Sequence, residues 1–203
     1  MAKIKLTKTE LKSQQDSLKQ YQRFLPTLQL KKQQLQLEIR LSAELLRENE
    51  ERQRELDARL DSGIAVFGGE GMAERMIELV RLEAIECDSS NIAGVNVPVF
   101  KRAVFAPVEI DLYATDWLLD SAVQAVQDAV ALREAHKILE EQYRLLSNEL
   151  RTTTQRVNLF EKVKIPECKE NIRTIRIQLS DRDTASVARS KIAKRKTQEA
   201  AAS

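Results

Sequence analysis

RVNLFEKVKIPECKENIRTIRIQL, residues 156 to 179, reads as a long helix that runs straight into a proline. Apolar residues recur at helical spacing before Pro166 and again after it. The two series are out of step by one residue. Val157 and Phe160 close the first, and Ile165, Cys168, Ile172, Ile175 and Leu179 form the second. An inserted residue locally unwinds a supercoil. A proline is tolerated where the regular backbone bond is already disturbed. The spacing therefore predicts a helix that kinks at Pro166 and continues to about residue 195, with no stop at the proline.

Upstream, the same seam runs through Leu118, Ala122, Ala125, Ala129, Leu132, His136, Leu139, Tyr143, Leu146, Leu150 and Thr153. A matching seam occupies the N-terminal part of the chain. Counted by sevens from Ile4, seven of nine positions are apolar: Ile4, Leu11, Leu18, Leu25, Ile39, Leu46 and Leu60. The companion positions include Tyr21, Leu28, Leu35 and Leu56, four apolar out of eight. A heptad held in phase over so many repeats is a coiled-coil signal. Pro26 lies inside it without breaking the phase, so it reads as a local kink.

Composition agrees with this reading. The chain has 203 residues, 32% charged and only 4% aromatic, with 5 Gly and 4 Pro. Such a make-up favours long helices over a compact aromatic core. Four glycines between Gly63 and Gly71 are expected to end the first helix. "GMAERMIELVRL", about 71–82, predicts a short amphipathic helix. The stretch after it, rich in Val, Ile and Phe and punctuated by Asp88–Asn91, Gly94, Pro98 and Pro107, predicts a small β-hairpin or two short strands. Asp116 is placed to cap the second long helix, and Trp117 to pack at its base. The expected layout is an N-terminal coiled-coil helix over 3–62, a central section over 63–114, a C-terminal coiled-coil helix over 115–195 and a disordered tail over 196–203. A middle section of that size lets the chain turn back. The expected fold is mainly α: a long antiparallel intramolecular coiled coil with a short helix and a small β-hairpin in the middle.

Charge is uneven. Residues 1–40 carry 9 basic and 3 acidic side chains, residues 61–150 carry 7 and 16, and residues 151–203 carry 13 and 6. Arg189, Lys191, Lys194, Arg195 and Lys196 make the basic tail a candidate contact with an acidic surface. The tail has no interleaved aromatics, which argues against nucleic acid. Cys87 and Cys168 are too few for a disulfide framework or a zinc site, so reduced thiols in the cytosol are expected. No apolar run reaches the ~18 residues of a membrane span. One histidine leaves little for a metal triad or a Ser–His–Asp site. His136 sits in the seam as a register-fixing polar residue. The glycine-rich run lacks the ending of a phosphate loop. No catalytic, cofactor or metal residues are expected.

"IKLTKTEL" (4–11), "LPTLQLKKQQLQLEI" (25–39), "NIAGVNVPV" (91–99) and residues 156–183, followed by "KIAKRK" (191–196), are similar to the D subunit of V-type (A/V-type) ATPases, bacterial branch. The resemblance covers nearly the whole chain in order. It implies a non-catalytic central rotor shaft, cytoplasmic and peripheral to the membrane within a membrane-bound complex. The shaft would stand inside a ring of catalytic (A) and non-catalytic (B) nucleotide-binding subunits. The small F subunit would lie on its side, and a funnel-shaped (C/d) subunit would link it to the membrane rotor ring. The residues also fit a non-enzymatic coiled-coil adaptor or tether, which would bind partners along an exposed seam.

Overall fold

A computed structural model describes residues 4–67, 80–107 and 117–201. Helix α1 runs over Lys8–Phe67, strands β1 and β2 over Leu82–Ile92 and Val95–Phe105, helix α2 over Trp117–Leu159 and helix α3 over Ile165–Ala201. A π-helical turn, Phe160–Lys164, joins α2 to α3. The fold is mainly α. The expected short helix lies almost wholly outside the described residues. Its last expected positions, Val80 and Arg81, are irregular, and Leu82 already belongs to β1. Asp116 lies outside the described residues, as does the side chain of Trp117.

Three boundaries differ from the sequence expectation. Helix α1 begins at Lys8, where Thr7 caps it: the Glu10 amide donates to Thr7 Oγ1 at 3.2 Å. Capping the open amides of the first turn fixes the start. The helix passes through Gly63 and ends at Phe67. One interior glycine costs about 1 kcal/mol against alanine, which a helix this long tolerates. At the other end, α3 continues to Ala201 where a disordered tail over 196–203 was expected. Thr184, Ser190 and Thr197 each donate a hydroxyl hydrogen bond to the carbonyl one turn back.

The chain divides into two compact units, Met1–Lys31 with Thr153–Ser203, and Lys32–Thr152. In the first, α1 and the C-terminal helices run antiparallel. Arg182 donates to the Leu6 carbonyl at 3.0 Å, Asn171 to Gln14 at 3.4 Å, and the Tyr21 and Phe160 rings lie 5.0 Å apart. The seam closes on Val157, Cys168, Ile172 and Ile175, all buried.

In the second unit α1 and α2 also run antiparallel. Arg133 reaches Asp57 at 3.2 Å and Gln53 donates to the Leu132 carbonyl at 3.2 Å. Gln53 also donates to Asn49 at 2.7 Å, so two polar residues of the α1 seam bond each other. The hairpin packs here. Leu35, Leu146 and Val97 are buried together, with Ile39, Ile92, Val95 and Leu150 against them. Strands β1 and β2 pair antiparallel with Ile92 opposite Val95. The turn residues Ala93 and Gly94 have φ of 50° and 79°, the left-handed pair of a two-residue hairpin turn. Glycine meets that geometry without a Cβ clash, whereas alanine bears one. Asn91 holds the turn by accepting from the Gly94 amide at 3.1 Å and donating to Asn96 at 2.6 Å. Further along the hairpin, Arg102 donates twice to Glu86 at 2.8 Å and keeps that carboxyl below its usual range.

Leu146 has no exposed surface and is shared by both helices and the hairpin tip. Leu146→Ala is expected to destabilise the protein by about 2–5 kcal/mol. A thermal melt reads the loss. An unchanged melting temperature would mean that the three elements do not pack there.

Candidate functional site

The C-terminal stretch from Val157 onward joins the seam slip, the proline and the basic helix end. At the slip the backbone adopts a π turn. The Ile165 amide donates to the Phe160 carbonyl, five residues back. A π turn takes up one residue more than an α turn. It therefore absorbs the one-residue offset and returns Cys168, Ile172 and Ile175 to the buried side, at 6%, 7% and 0% exposure. Pro166 follows at once, exposed to solvent and inside the first turn of α3. Its missing N–H is tolerated because the ladder has already changed its partners there. The helix does not stop at Pro166, nor at Pro26 in α1.

The seam residues named from the sequence lie in two classes. Leu35, Leu146, Val157, Ile172 and Ile175 are buried. Leu11, Leu18, Leu25, Leu28, Ile39, Leu46, Leu132, Leu139, Leu150, Phe160 and Leu179 are half-buried. Tyr143, at a seam position by count, is 38% exposed. His136 is half-buried, with Nε2 3.5 Å from a Glu140 oxygen. Thr153, counted on the seam, is buried, and so are Ser42 and Asn49 at companion positions of the first seam. Their signal was present as polar letters at heptad positions.

Beyond Leu179 the character changes. Every side chain from Ser180 to Gln198 is exposed, including Val187 at 56% and Ile192 at 53%. Arg189, Lys191, Lys194, Arg195 and Lys196 all lie on this stretch. The unit that contains it carries 19 Lys/Arg and 8 Asp/Glu, a net +11. The other unit carries 14 and 23, a net −9. Among the described residues no group of three or more His, Cys, Asp or Glu is placed to hold a metal ion. No described helix is long and apolar enough to cross a membrane. The two cysteines differ: Cys87 is exposed on the hairpin and Cys168 is buried in the seam. Burial pushes the Cys168 thiol up, Glu167 adds to that, and Lys164 opposes it.

These features define a class: a two-helix antiparallel protein with a hairpin against one unit and a bare basic helix end on the other. The family model for the ATP synthase D subunit matches residues 10–195. The V-type ATP synthase D subunit of Borreliella burgdorferi is 41% identical over 194 residues, 96% of this chain and 95% of that protein. The protein of the same name from Chlamydia trachomatis is 34% identical over 198 residues, 98% of each chain. That from Chlamydia pneumoniae is 31% identical over 193 residues, 95% of this chain and 92% of its own. The chain belongs to the D-subunit family of ATP synthases.

Two measurements follow from the site. A thiol reagent near pH 8 should modify Cys87 rapidly in the native protein and reach Cys168 only on unfolding, since reactivity needs an accessible thiolate. Two fast equivalents would contradict the packing at Cys168. The π turn is imposed by the seam offset and not by the proline. Pro166→Ala should therefore keep the π turn, whereas Pro166→Ala with Val163 deleted should give an unbroken α-helix with the seam still closed. A crystal structure of each variant decides it. An α-helical 160–164 in the Pro166→Ala protein would refute this.

Proposed function

We propose that the chain is the central rotor stalk of a V-type ATP synthase or ATPase. In this reading it couples nucleotide chemistry in a catalytic head to proton or sodium movement in a membrane sector. It is a non-catalytic subunit, cytoplasmic and peripheral to the membrane. The catalytic (A) and non-catalytic (B) ring subunits surround its coiled coil. The F subunit binds its side, and the funnel-shaped (C/d) subunit joins it to the membrane rotor ring.

The observation that carries this reading is the exposed helix from Ser180 to Gln198. Most helical stability in proteins comes from packing of an apolar face, and this stretch is exposed on every side. Another chain would bury its exposed Val187 and Ile192. An enclosing ring supplies that burial without a fixed partner on one side. Arg189, Lys191, Lys194, Arg195 and Lys196 would face the ring's inner surface as a bearing. Few tight contacts suit that role, because a deep hot spot would arrest rotation. On α1, Leu37, Leu41 and Leu45 are 57%, 45% and 50% exposed and follow one another at single-turn spacing. That apolar strip is a seat for a side-binding partner such as the F subunit. Two helices packed along a seam resist bending and twist better than one, which suits torque transmission. The π turn and Pro166 would make the shaft eccentric, so that three equal catalytic sites are held in different states.

The test mixes the purified chain with its catalytic and non-catalytic ring subunits and follows gel filtration and ATP hydrolysis. One copy per six-membered ring, with altered turnover, is the expected result. A chain that elutes alone would replace the rotor by a coiled-coil adaptor. Truncation after Leu179 should leave the fold intact and reduce coupled turnover.

A further inference from the structure

Among the described residues the hairpin is a two-stranded sheet, so each strand presents one outer edge. An exposed strand edge is a template for a further strand. The longest unbroken stretch of ladder runs from Cys87 opposite Phe100 to Ile92 opposite Val95, because the register shifts between Glu86 and Cys87. Ile92 and Val95 close the two-residue turn as a hydrogen-bonded pair. Antiparallel pairs then alternate. Ser90 with Val97 is again a hydrogen-bonded pair. The pairs Asn91 with Asn96, Ser89 with Pro98 and Cys87 with Phe100 turn their backbone groups outward, onto the two edges. Ser89 and Pro98 lie at the middle level of these three.

At that middle level neither edge offers a donor. Pro98 has no N–H, so the β2 edge lacks one there. On β1 the Ser89 amide donates to Asp88 Oδ1 at 2.9 Å, so the donor that would reach a neighbouring strand is already engaged. That bond, with Lys101 3.5 Å from Asp88, holds the Asp88 carboxyl below its usual range and keeps it an ionised acceptor. Asp88, Ser89 and Asn91 are exposed, so another chain could reach this edge. Cys87 and Asn91 flank Ser89 symmetrically. Two β1 edges meeting antiparallel would set Ser89 opposite Ser89, each amide donating to the other's carbonyl. That central bond is the one Asp88 pre-empts. We infer that Asp88 on β1 and Pro98 on β2 guard the hairpin against strand addition by a second copy of this chain. The hairpin then meets other surfaces through its faces, as Val97 meets Leu35 and Leu146. The guard acts on the free chain and is independent of any role in a rotor.

The experiment follows sedimentation of the full-length chain across a concentration series, together with amide hydrogen exchange at Ser89. Asp88→Ala removes the acceptor. Asp88→Asn keeps an acceptor oxygen without the charge, and Lys101→Ala removes the ion pair alone. Asp88→Ala/Pro98→Thr opens both edges. Circular dichroism verifies that each variant is folded; none of these side chains belongs to the buried cluster of Leu35, Leu146 and Val97. In dilute Asp88→Ala the Ser89 amide should exchange about tenfold faster, as fits the loss of a bond to a charged group. At concentrations where wild type does not associate, Asp88→Ala should form dimers in which that exchange slows again. It should stop at the dimer, because Pro98 still closes the other edge. The double variant should form oligomers that grow with concentration. Asp88→Asn and Lys101→Ala should behave as wild type. An Asp88→Ala or double variant that stays monomeric would overturn the guard. An Asp88→Asn chain that behaves as Asp88→Ala would do so too, since repulsion between charges would then keep copies apart. Association that leaves the Ser89 amide unprotected would place the contact elsewhere and equally defeat the proposal.

Discussion

Everything in this chain depends on keeping one narrow apolar seam closed between helices that run in opposite directions. Two helices have no layered core behind them. Among the described residues the fully buried side chains are few: Leu35, Leu146, Ile175, Val97 and Thr153. Each turn must present its apolar residue to the partner, because a lost contact has no neighbour to compensate it. The phase of the heptad thus governs the backbone. Where the sequence carries one residue too many, the backbone adopts a π turn at Phe160–Lys164 and the seam stays closed. Regular hydrogen bonding gives way to side-chain burial at that point. Pro166 then occupies a place where it does least harm.

The second unit solves the same problem with help. The hairpin tip lays Ile92, Val95 and Val97 onto the seam at Leu35, Leu146 and Leu150. Three elements share that cluster, so it comes nearest to an ordinary core. The seam elsewhere tolerates polar residues. The Gln53 amide donates to Asn49 Oδ1 and to the Leu132 carbonyl. Bonds of this kind contribute little net stability. They do penalise a register in which the same groups would be buried without partners. Stiffness from length and register from polar positions are separate devices on one helix.

The helices were legible in the sequence because burial in a two-helix pair repeats without interruption. Leu11 through Ile39 on one side and Leu132 through Val157 on the other can be counted by sevens. The offset after Phe160 was legible for the same reason, as a break in that count. Its form as a π turn was not, since any inserted residue shifts the phase alike. The hairpin was visible through Asn91 and Gly94. Its strands of 11 residues each were not. Val97 is the one buried residue of the two strands, and Asp88, Ser89 and Lys101 interrupt the alternation that marks a strand. Helix ends were read too short at Gly63 and at the C-terminus, because local breakers weigh little against a helix already propagating. A groove between α1 and α3, lined by Lys169, Arg173 and Arg176 among others, was hidden for another reason. Its fourth cation, Lys19, comes from the opposite end of the chain, and only the antiparallel pairing brings it there.

Charge follows the same logic of placement. The seam takes the apolar residues of each helix, so charge must lie on the outer faces, and its sign is free of the fold. The sign is nevertheless partitioned, with a net +11 on the unit holding both termini and −9 on the unit holding the hairpin. Self-repulsion within a strongly charged unit works against compactness. A coiled coil bears that penalty along its whole length without a core to offset it. The basic unit is also the one with the exposed helix Ser180–Gln198. Such a surface is costly alone and favourable inside an acidic enclosure. The two units thus differ in surface chemistry, one basic and exposed along Ser180–Gln198, the other acidic with Leu37, Leu41 and Leu45 exposed on one helix face.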